Sequence, residues 1–200
     1  MNLLKPTDFK DMQFVCSAPT PRAFPDPEGP EIAFAGRSNA GKSSALNAIC
    51  ERVGLARTSK TPGRTQAINF FESGPLRFAD LPGYGYARVP PATKAAWQAL
   101  IEGYLSGRTT LTGVVLIMDA RRPLTAFDRQ FLDWGTRFGL AFHLILTKAD
   151  KLSRNQQIKA LRGVEQEIEG ATMQLFSASK RQGIDEARAA IATLASAPDQ

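Results

Sequence analysis

Two short runs of residues carry chemistry that this chain can do. The first, Gly36-Arg37-Ser38-Asn39-Ala40-Gly41-Lys42-Ser43, has the spacing G-x-x-x-x-G-K-[ST]. Its glycines let backbone wrap closely around phosphates with the amides pointing inward. A helix opening at its end adds the partial positive charge of a helix N-terminus. Lys42 would reach the outer phosphates, and the Ser43 hydroxyl would ligate magnesium. The second run is Thr147-Lys148-Ala149-Asp150. Guanine presents two parallel donors, its ring N1–H and its exocyclic amine, and one ionised carboxylate at Asp150 accepts both. Adenine offers no such pair, so a site of this kind discriminates by roughly 10⁴ or more. The stem of Lys148 would cover one face of the base. Phe176-Ser177-Ala178, at the end of the last expected strand, would bring a backbone amide to the guanine oxygen. The expected ligand is therefore GTP or GDP.

Other residues complete or complicate that site. Asp80-Leu81-Pro82-Gly83 follows an apolar run. Asp80 would hold magnesium opposite Ser43, and the Gly83 amide would sense a terminal phosphate. Residues 58–66 contain Thr58, Thr61 and Thr65 around Pro62-Gly63. A threonine there can close on the metal and the terminal phosphate and release after hydrolysis, and Thr65 is the chosen ligand. The position after Gly83, where Ras-type enzymes place a water-orienting glutamine, is Tyr84. A phenol cannot orient water through an amide pair, so hydrolysis in isolation should be slow and completed by a partner. Tyr84 and Tyr86 either pack or meet that partner. Asn39 has two readings: it helps bind potassium beside the phosphates, or it braces the loop. Arg37 and Arg64 are weaker cis-finger candidates. His143, Trp97 and Trp134 read as packing, and Glu165, Glu167 and Glu169 as a solvated helix face.

These residues need a scaffold that puts them at one edge. Strands are expected over 32–35, 67–71, 76–79, 114–118, 142–146 and 173–176. Helices are expected over 43–51, 92–105, 125–138, 156–169 and 184–195. Ser73-Gly74 makes a hairpin of the second and third strands. Alternation of strand and helix implies right-handed crossovers. The fold class is therefore α/β, a mainly parallel six-stranded sheet with one antiparallel edge hairpin strand and helices on both faces. Ligands in such sheets sit beyond the carboxyl ends of the strands, where every motif above falls. Residues 1–29, with Pro19, Pro21, Pro25 and Pro27, read as an arm with one short element around residues 8–14. Residues 30–197 form the nucleotide-binding domain.

Composition narrows the setting. The formal net charge is +6, with basic residues scattered, which allows contact with RNA or another polyanion. Two cysteines, Cys16 and Cys50, make neither a disulfide scaffold nor a four-cysteine zinc site. No apolar run approaches the ~18 residues of a membrane span, and no leader is evident. A cytoplasmic monomer is expected.

Taken together the motifs resemble the translation-factor-related P-loop GTPases, and more narrowly the EngB family (also called YihA or YsxC) of bacterial ribosome-biogenesis GTPases. The resemblance runs from about Phe14 to the last helix. Its specific pieces are AGRSNAGKSS from Ala35, TSKTPGRTQ from Thr58, DLPGYGYAR from Asp80, LIMDARR from Leu116 and TKADK from Thr147. It implies a magnesium-dependent cytoplasmic GTPase that helps assemble the large ribosomal subunit from its rRNA and proteins, with a link to septum formation in cell division. It supports Thr65 as a metal ligand within Gly63, Arg64, Thr65, Gln66 and Ala67. A nucleotide-gated binding module with little turnover and an ATP-using P-loop enzyme are the competing possibilities, and Asp150 disfavours the latter.

Overall fold

A computed structural model describes residues 4–56, 67–85 and 91–196. In chain order the elements are α1 (Pro6–Lys10), β1 (Gln13–Ala18), β2 (Glu31–Gly36), α2 (Lys42–Ile49), β3 (Ile68–Ser73), β4 (Leu76–Asp80), α3 (Pro91–Gly107), β5 (Leu111–Asp119), α4 (Ala126–Arg137), β6 (Phe142–Thr147), α5 (Arg154–Glu165), β7 (Thr172–Leu175) and α6 (Ile184–Ala195). The sheet order is β1-β3-β4-β2-β5-β6-β7. Only β3 runs against the rest, antiparallel to both β1 and β4.

The strands β2, β5 and β6 are almost wholly buried, as their unbroken apolar runs predict for strands covered on both faces. Alternate residues feed two cores. Ala33, Val114, Leu116 and Leu144 face a layer that includes Tyr104 of α3, Phe131 of α4 and Val164 of α5. Ile32, Phe34, Val115, Ile117 and Ile145 face Phe9 of α1, Leu46 and Ile49 of α2, and Ile191 of α6. Gly113 lets α6 lie close to β5, because a Cβ there would meet Leu194 at 2.9 Å. Thr125 and Asp128 form a capping box that starts α4, and Ser153 with Gln156 does the same for α5.

The sheet has seven strands rather than the expected six, and β3 is not its edge. Gln13–Ala18, read as part of the arm, adds β1 outside β3. The reason is local. Val15 is the extra residue of a β-bulge between Phe14 and Cys16, so Phe14 and Val15 are both exposed and the period-two signal is broken. The element expected over 8–14 is two elements, α1 and the start of β1. The helix expected over 156–169 ends at Glu165, and Glu167 beyond it pairs with Arg129 of α4.

At the amino end of the strands lies a buried polar hub. Glu31 is fully buried and accepts the Tyr104 hydroxyl at 2.6 Å and two nitrogens of Arg108, Nε shared between Oε1 (3.0 Å) and Oε2 (3.2 Å) and Nη2 to Oε2 at 2.9 Å. Arg108 and Arg77 also donate to the carbonyls of Pro25 (2.8 Å) and Asp26 (2.5 Å), which fastens the proline-rich connection to the sheet.

Candidate functional site

The crevice lies where chain direction across the sheet reverses, beyond the carboxyl ends of β2 and its neighbours. Gly36 closes β2. Its missing side chain lets the strand pass β5, since a Cβ would lie 2.5 Å from the Ile117 carbonyl oxygen. The following loop turns through two left-handed residues, Asn39 (φ 63°) and Gly41 (φ 101°). Asparagine tolerates that region and glycine is free in it. Gly41 stands at the N-cap of α2 with no side-chain cap. No capping hydroxyl covers the start of α2, in contrast to α4 and α5, and such a helix start suits an anion.

Four contacts bind the other motifs to this loop. The Lys42 ammonium pairs with Asp80 at the end of β4. The Ser38 amide donates to the Tyr84 carbonyl at 2.8 Å, and Gly83 lies so close that a Cβ would sit 3.3 Å from Ser38 Cα. The Thr147 hydroxyl bonds the Ala40 carbonyl, with the Met118 carbonyl 2.9 Å away. Lys148, at φ 59°, turns its ammonium onto the Asn39 carbonyl at 2.6 Å and Asp119 Oδ2 at 3.0 Å. Its stem therefore spans the gap between the base-reading loop and the phosphate loop.

Asp150 follows in a turn of 3-10 helix, Ala149–Lys151. The Ser177 hydroxyl donates to its Oδ1 at 2.7 Å, and Lys151 lies 3.3 Å from Oδ2. The Ser177 bond, helped by Lys151 and opposed by burial, holds the Asp150 carboxyl below its ordinary range. It is ionised at neutral pH, as an acceptor for two guanine donors must be. Ser177 is itself fixed by a bridge to Gln182, with N–H to O distances of 3.1 and 3.0 Å. The Phe176 side chain lies in the core, and its carbonyl accepts the Ala149 amide at 3.1 Å. Leu81 is likewise a core residue.

The hard oxygen donors Ser43 and Asp80 suit magnesium. They stand on the first turn of α2 and at the end of β4, joined by the Lys42–Asp80 pair. Among the described residues no three His, Cys, Asp or Glu side chains gather into a metal cage. A magnesium ion here would draw its remaining ligands from phosphates and water, as it does in nucleotide sites. Gly63, Arg64, Thr65, Gln66 and Tyr86 lie outside the described residues. Ala67 is buried just before β3.

Tyr84 is a packing residue. It is buried, stacks on Phe131 at 5.7 Å between ring centroids, and donates its hydroxyl to Asp128 at 2.8 Å. Burial and then the Asp128 carboxylate push its phenol well above the ordinary tyrosine range. His143 is also internal, with Nδ1 2.8 Å from the Thr172 hydroxyl and Nε2 3.0 Å from Gln174. One residue of the site had no role assigned from sequence: Asp119. It bridges Lys148 and the Arg121 guanidinium, which binds it through Nε (2.9 Å) and Nη2 (2.6 Å). Burial works against its charge, but Arg121 and Lys148 outweigh burial and hold the carboxyl well below the usual range. The available signal was an aspartate closing a long apolar strand just before two arginines.

Known proteins share the sequence and the fold. A family model described as 50S ribosome-binding GTPase matches residues 31–148. A probable GTP-binding protein EngB of Stenotrophomonas maltophilia (strain K279a) is 52% identical over 181 residues, covering 88% of this chain and 90% of that one. One of the same name from Burkholderia thailandensis is 50% identical over 184 residues, covering 85% and 84%. The crystal structure of a probable GTP-binding protein engB superposes with a TM-score of 0.67 at 19% identity, covering 82% of this chain and 98% of that one. Era in complex with MgGDPNP and a segment of 16S ribosomal RNA shares the fold at a TM-score of 0.65 and 16% identity, covering 84% and 57%. With about half of the residues shared along most of both chains, this chain belongs to the EngB family of GTP-binding proteins, within the P-loop GTPases.

Proposed function

We propose that the chain is a slow GTP switch of the cytoplasm that acts on the large ribosomal subunit or its precursor, with normal septum formation depending on that role. GTPases of this class generally use magnesium with GTP. In this proposal Ser43, Asp80 and Thr65 hold the metal, Lys42 and the loop amides hold the phosphates, and Gly83 reports the terminal phosphate. Thr147, Lys148, Asp150, Ser177 and Ala178 hold the base.

The observation that carries slow turnover is Tyr84. Its hydroxyl is committed to Asp128 inside the core, so the position after Gly83 offers no group to orient an attacking water. Support for the ribosomal partner is the description of the matching family model. The test is sedimentation of the chain with large ribosomal subunits in GTP analogue and in GDP, with turnover measured alongside. Nucleotide-dependent co-sedimentation with accelerated turnover is expected. Co-sedimentation without acceleration would favour a binding module, and the lack of any association would overturn the ribosomal role.

Potassium is the second element of the proposal. Asn39 is left-handed at the mouth of the phosphate loop, and its carbonyl already serves Lys148. Asn39 is exposed, and in this proposal its side-chain oxygen helps bind a cation that replaces the charge of an arginine finger. Turnover in potassium should exceed turnover in sodium at matched ionic strength, and Asn39→Ala should abolish the difference. Equal rates in the two salts would leave Asn39 as a brace only.

A further inference from the structure

The surface that the nucleotide site leaves unused is the outer face of α5. Its buried side is in order: Val164 is in the core and Ala160 packs against it. The opposite side is unusual. Asn155, Ile158, Lys159, Arg162, Gly163 and Gln166 form one open stretch of surface along it. These positions recur at i, i+3, i+4, i+7, i+8 and i+11, which is one stripe of a helix. Arg154 flanks it. Arg154, Lys159 and Arg162 are exposed and make no ion pair among the described residues. Several exposed cations elsewhere are paired: Lys10 and Arg181 with Glu51, Arg121 with Asp119, Arg129 with Glu167. Gly163 has no heavy atom within 4 Å of where a Cβ would be, so the stripe is notched rather than filled.

From this stripe we infer that the outer face of α5 is an RNA-docking surface, engaging the phosphate backbone through Arg154, Lys159 and Arg162 and an unstacked base or ribose through Ile158, Asn155 and Gln166. Charge complementarity selects a polyanion. The remaining chemistry selects RNA among polyanions. A membrane-surface helix needs a broad apolar face with aromatic or leucine residues, and the apolar face of α5 is already spent on the core. A protein hot spot needs a desolvated aromatic or aliphatic cluster, and here one aliphatic side chain stands among amides and cations. Amides beside guanidinium planes and a small apolar contact suit exposed bases.

The face is also joined to the nucleotide site. It begins four residues after Asp150, and Gln157 on α5 donates to the carbonyls of Ala149 (2.9 Å) and Leu152 (3.1 Å). RNA bound on α5 and guanine bound at Asp150 thus act on one rigid turn. This deepens the ribosomal reading above and rests on it for the source of the RNA.

The test uses the full chain and a labelled RNA stem-loop with unpaired loop bases, followed by anisotropy between 50 and 200 mM KCl. The triple variant R154E/K159E/R162E should bind at least about tenfold more weakly. Its slope of log affinity against log salt should fall by roughly two to three, near 0.9 for each phosphate that is no longer neutralised. The control K5E/R22E/R137E carries the same change in net charge and should lose less than about threefold at the same salt. Ile158→Ala should weaken binding with the salt slope unchanged. GDP affinity of every variant should match the parent, which shows that each is folded. Equal losses in the two triple variants, or competition by phosphatidylglycerol vesicles or polyglutamate as strong as by RNA, would overturn the inference. Binding of the stem-loop through α5 without co-sedimentation with large subunits would keep the inference and sink the ribosomal reading. Co-sedimentation undiminished by the α5 charge swap would do the reverse.

Discussion

Ser177 and Lys151 hold the two oxygens of Asp150 from opposite sides. The carboxylate is thereby kept ionised and held in place, which discrimination by paired donors would require. Asp150→Asn replaces one acceptor oxygen with a donor. GDP affinity should fall by roughly 10² or more, within the 10⁴–10⁵ that such a site can reject. Xanthosine diphosphate should gain, and competition titration of the two nucleotides reads both changes. Unchanged GDP affinity would place base recognition elsewhere. His143 allows a second prediction at this scale. The Gln174 amide nitrogen donates to the Gly183 carbonyl at 2.7 Å, so its oxygen faces His143 Nε2 and takes that proton. Nδ1 then accepts from Thr172. The neutral ring is satisfied, and burial, opposed by Gln174, holds its pKa below the ordinary value. As pH falls below about 6.5, the unfolded chain takes up a proton that the native chain resists. The stability from this group is therefore complete above that pH and is lost as pH falls toward the folded value. The urea-midpoint advantage of the parent over His143→Gln should shrink between pH 7.5 and 5.5. An advantage independent of pH would mean that the ring does not titrate in the window.

At the scale of elements, the two ends of the sheet do different work. The carboxyl ends of β2, β4, β6 and β7 hold the loops that the proposal assigns to the nucleotide. The amino end of β2 holds Glu31, the anchor for α3 through Tyr104 and Arg108. A buried carboxylate with three donors is costly to disturb, because its removal leaves a buried guanidinium without its counter-charge. Glu31→Gln should destabilise the fold by about 3–5 kcal/mol in urea unfolding. GDP affinity measured on the folded fraction should be unchanged, because the hub sits at the far end of the strands. Loss of affinity in step with stability would tie the hub to the site instead. Tyr84 is the matching anchor at the site end. Tyr84→Phe keeps the stacking on Phe131 but leaves an oxygen of buried Asp128 without its donor, at a cost of about 1–3 kcal/mol. Its turnover should equal the parent's, since the phenol is already held by Asp128 inside the core. Single-turnover hydrolysis checks this, and a clear change in rate would return Tyr84 to the chemistry.

For the molecule as a whole, nucleotide is part of the stability. A ligand that binds only the native chain, at about 100 times its Kd, adds about 2.7 kcal/mol. For a chain of this length that is roughly 5–10 °C in the thermal midpoint. Lys42→Ala should lower the midpoint without nucleotide, because buried Asp80 loses its counter-charge, and should remove most of the further shift that GDP produces above that midpoint. A full GDP shift in the variant would show that Lys42 does not hold the phosphates. No helix among the described residues is long and apolar enough to cross a membrane. The net charge of +6 is not spread evenly in its effect, because many cations are tied into ion pairs while those of α5 are not.

Much of this was legible along the chain, and the boundary is physical. The expectations for the phosphate loop, the Asp80–Gly83 turn and Asp150 rest on residues within a few positions of one another, so spacing alone raises them. The buried parallel strands were equally plain, since cover on both faces leaves unbroken apolar runs such as 114–118. By itself the sequence determined the nucleotide chemistry, the α/β class and the absence of a water-orienting glutamine after Gly83. Only the tertiary structure decided what depends on distant residues meeting. It set the bulged β1 outside β3, the withdrawal of Tyr84 onto Asp128 44 positions away, the Asp119–Lys148–Asn39 link and the unpaired cations along α5. In each case the residue type permits several partners, and folding leaves one within reach.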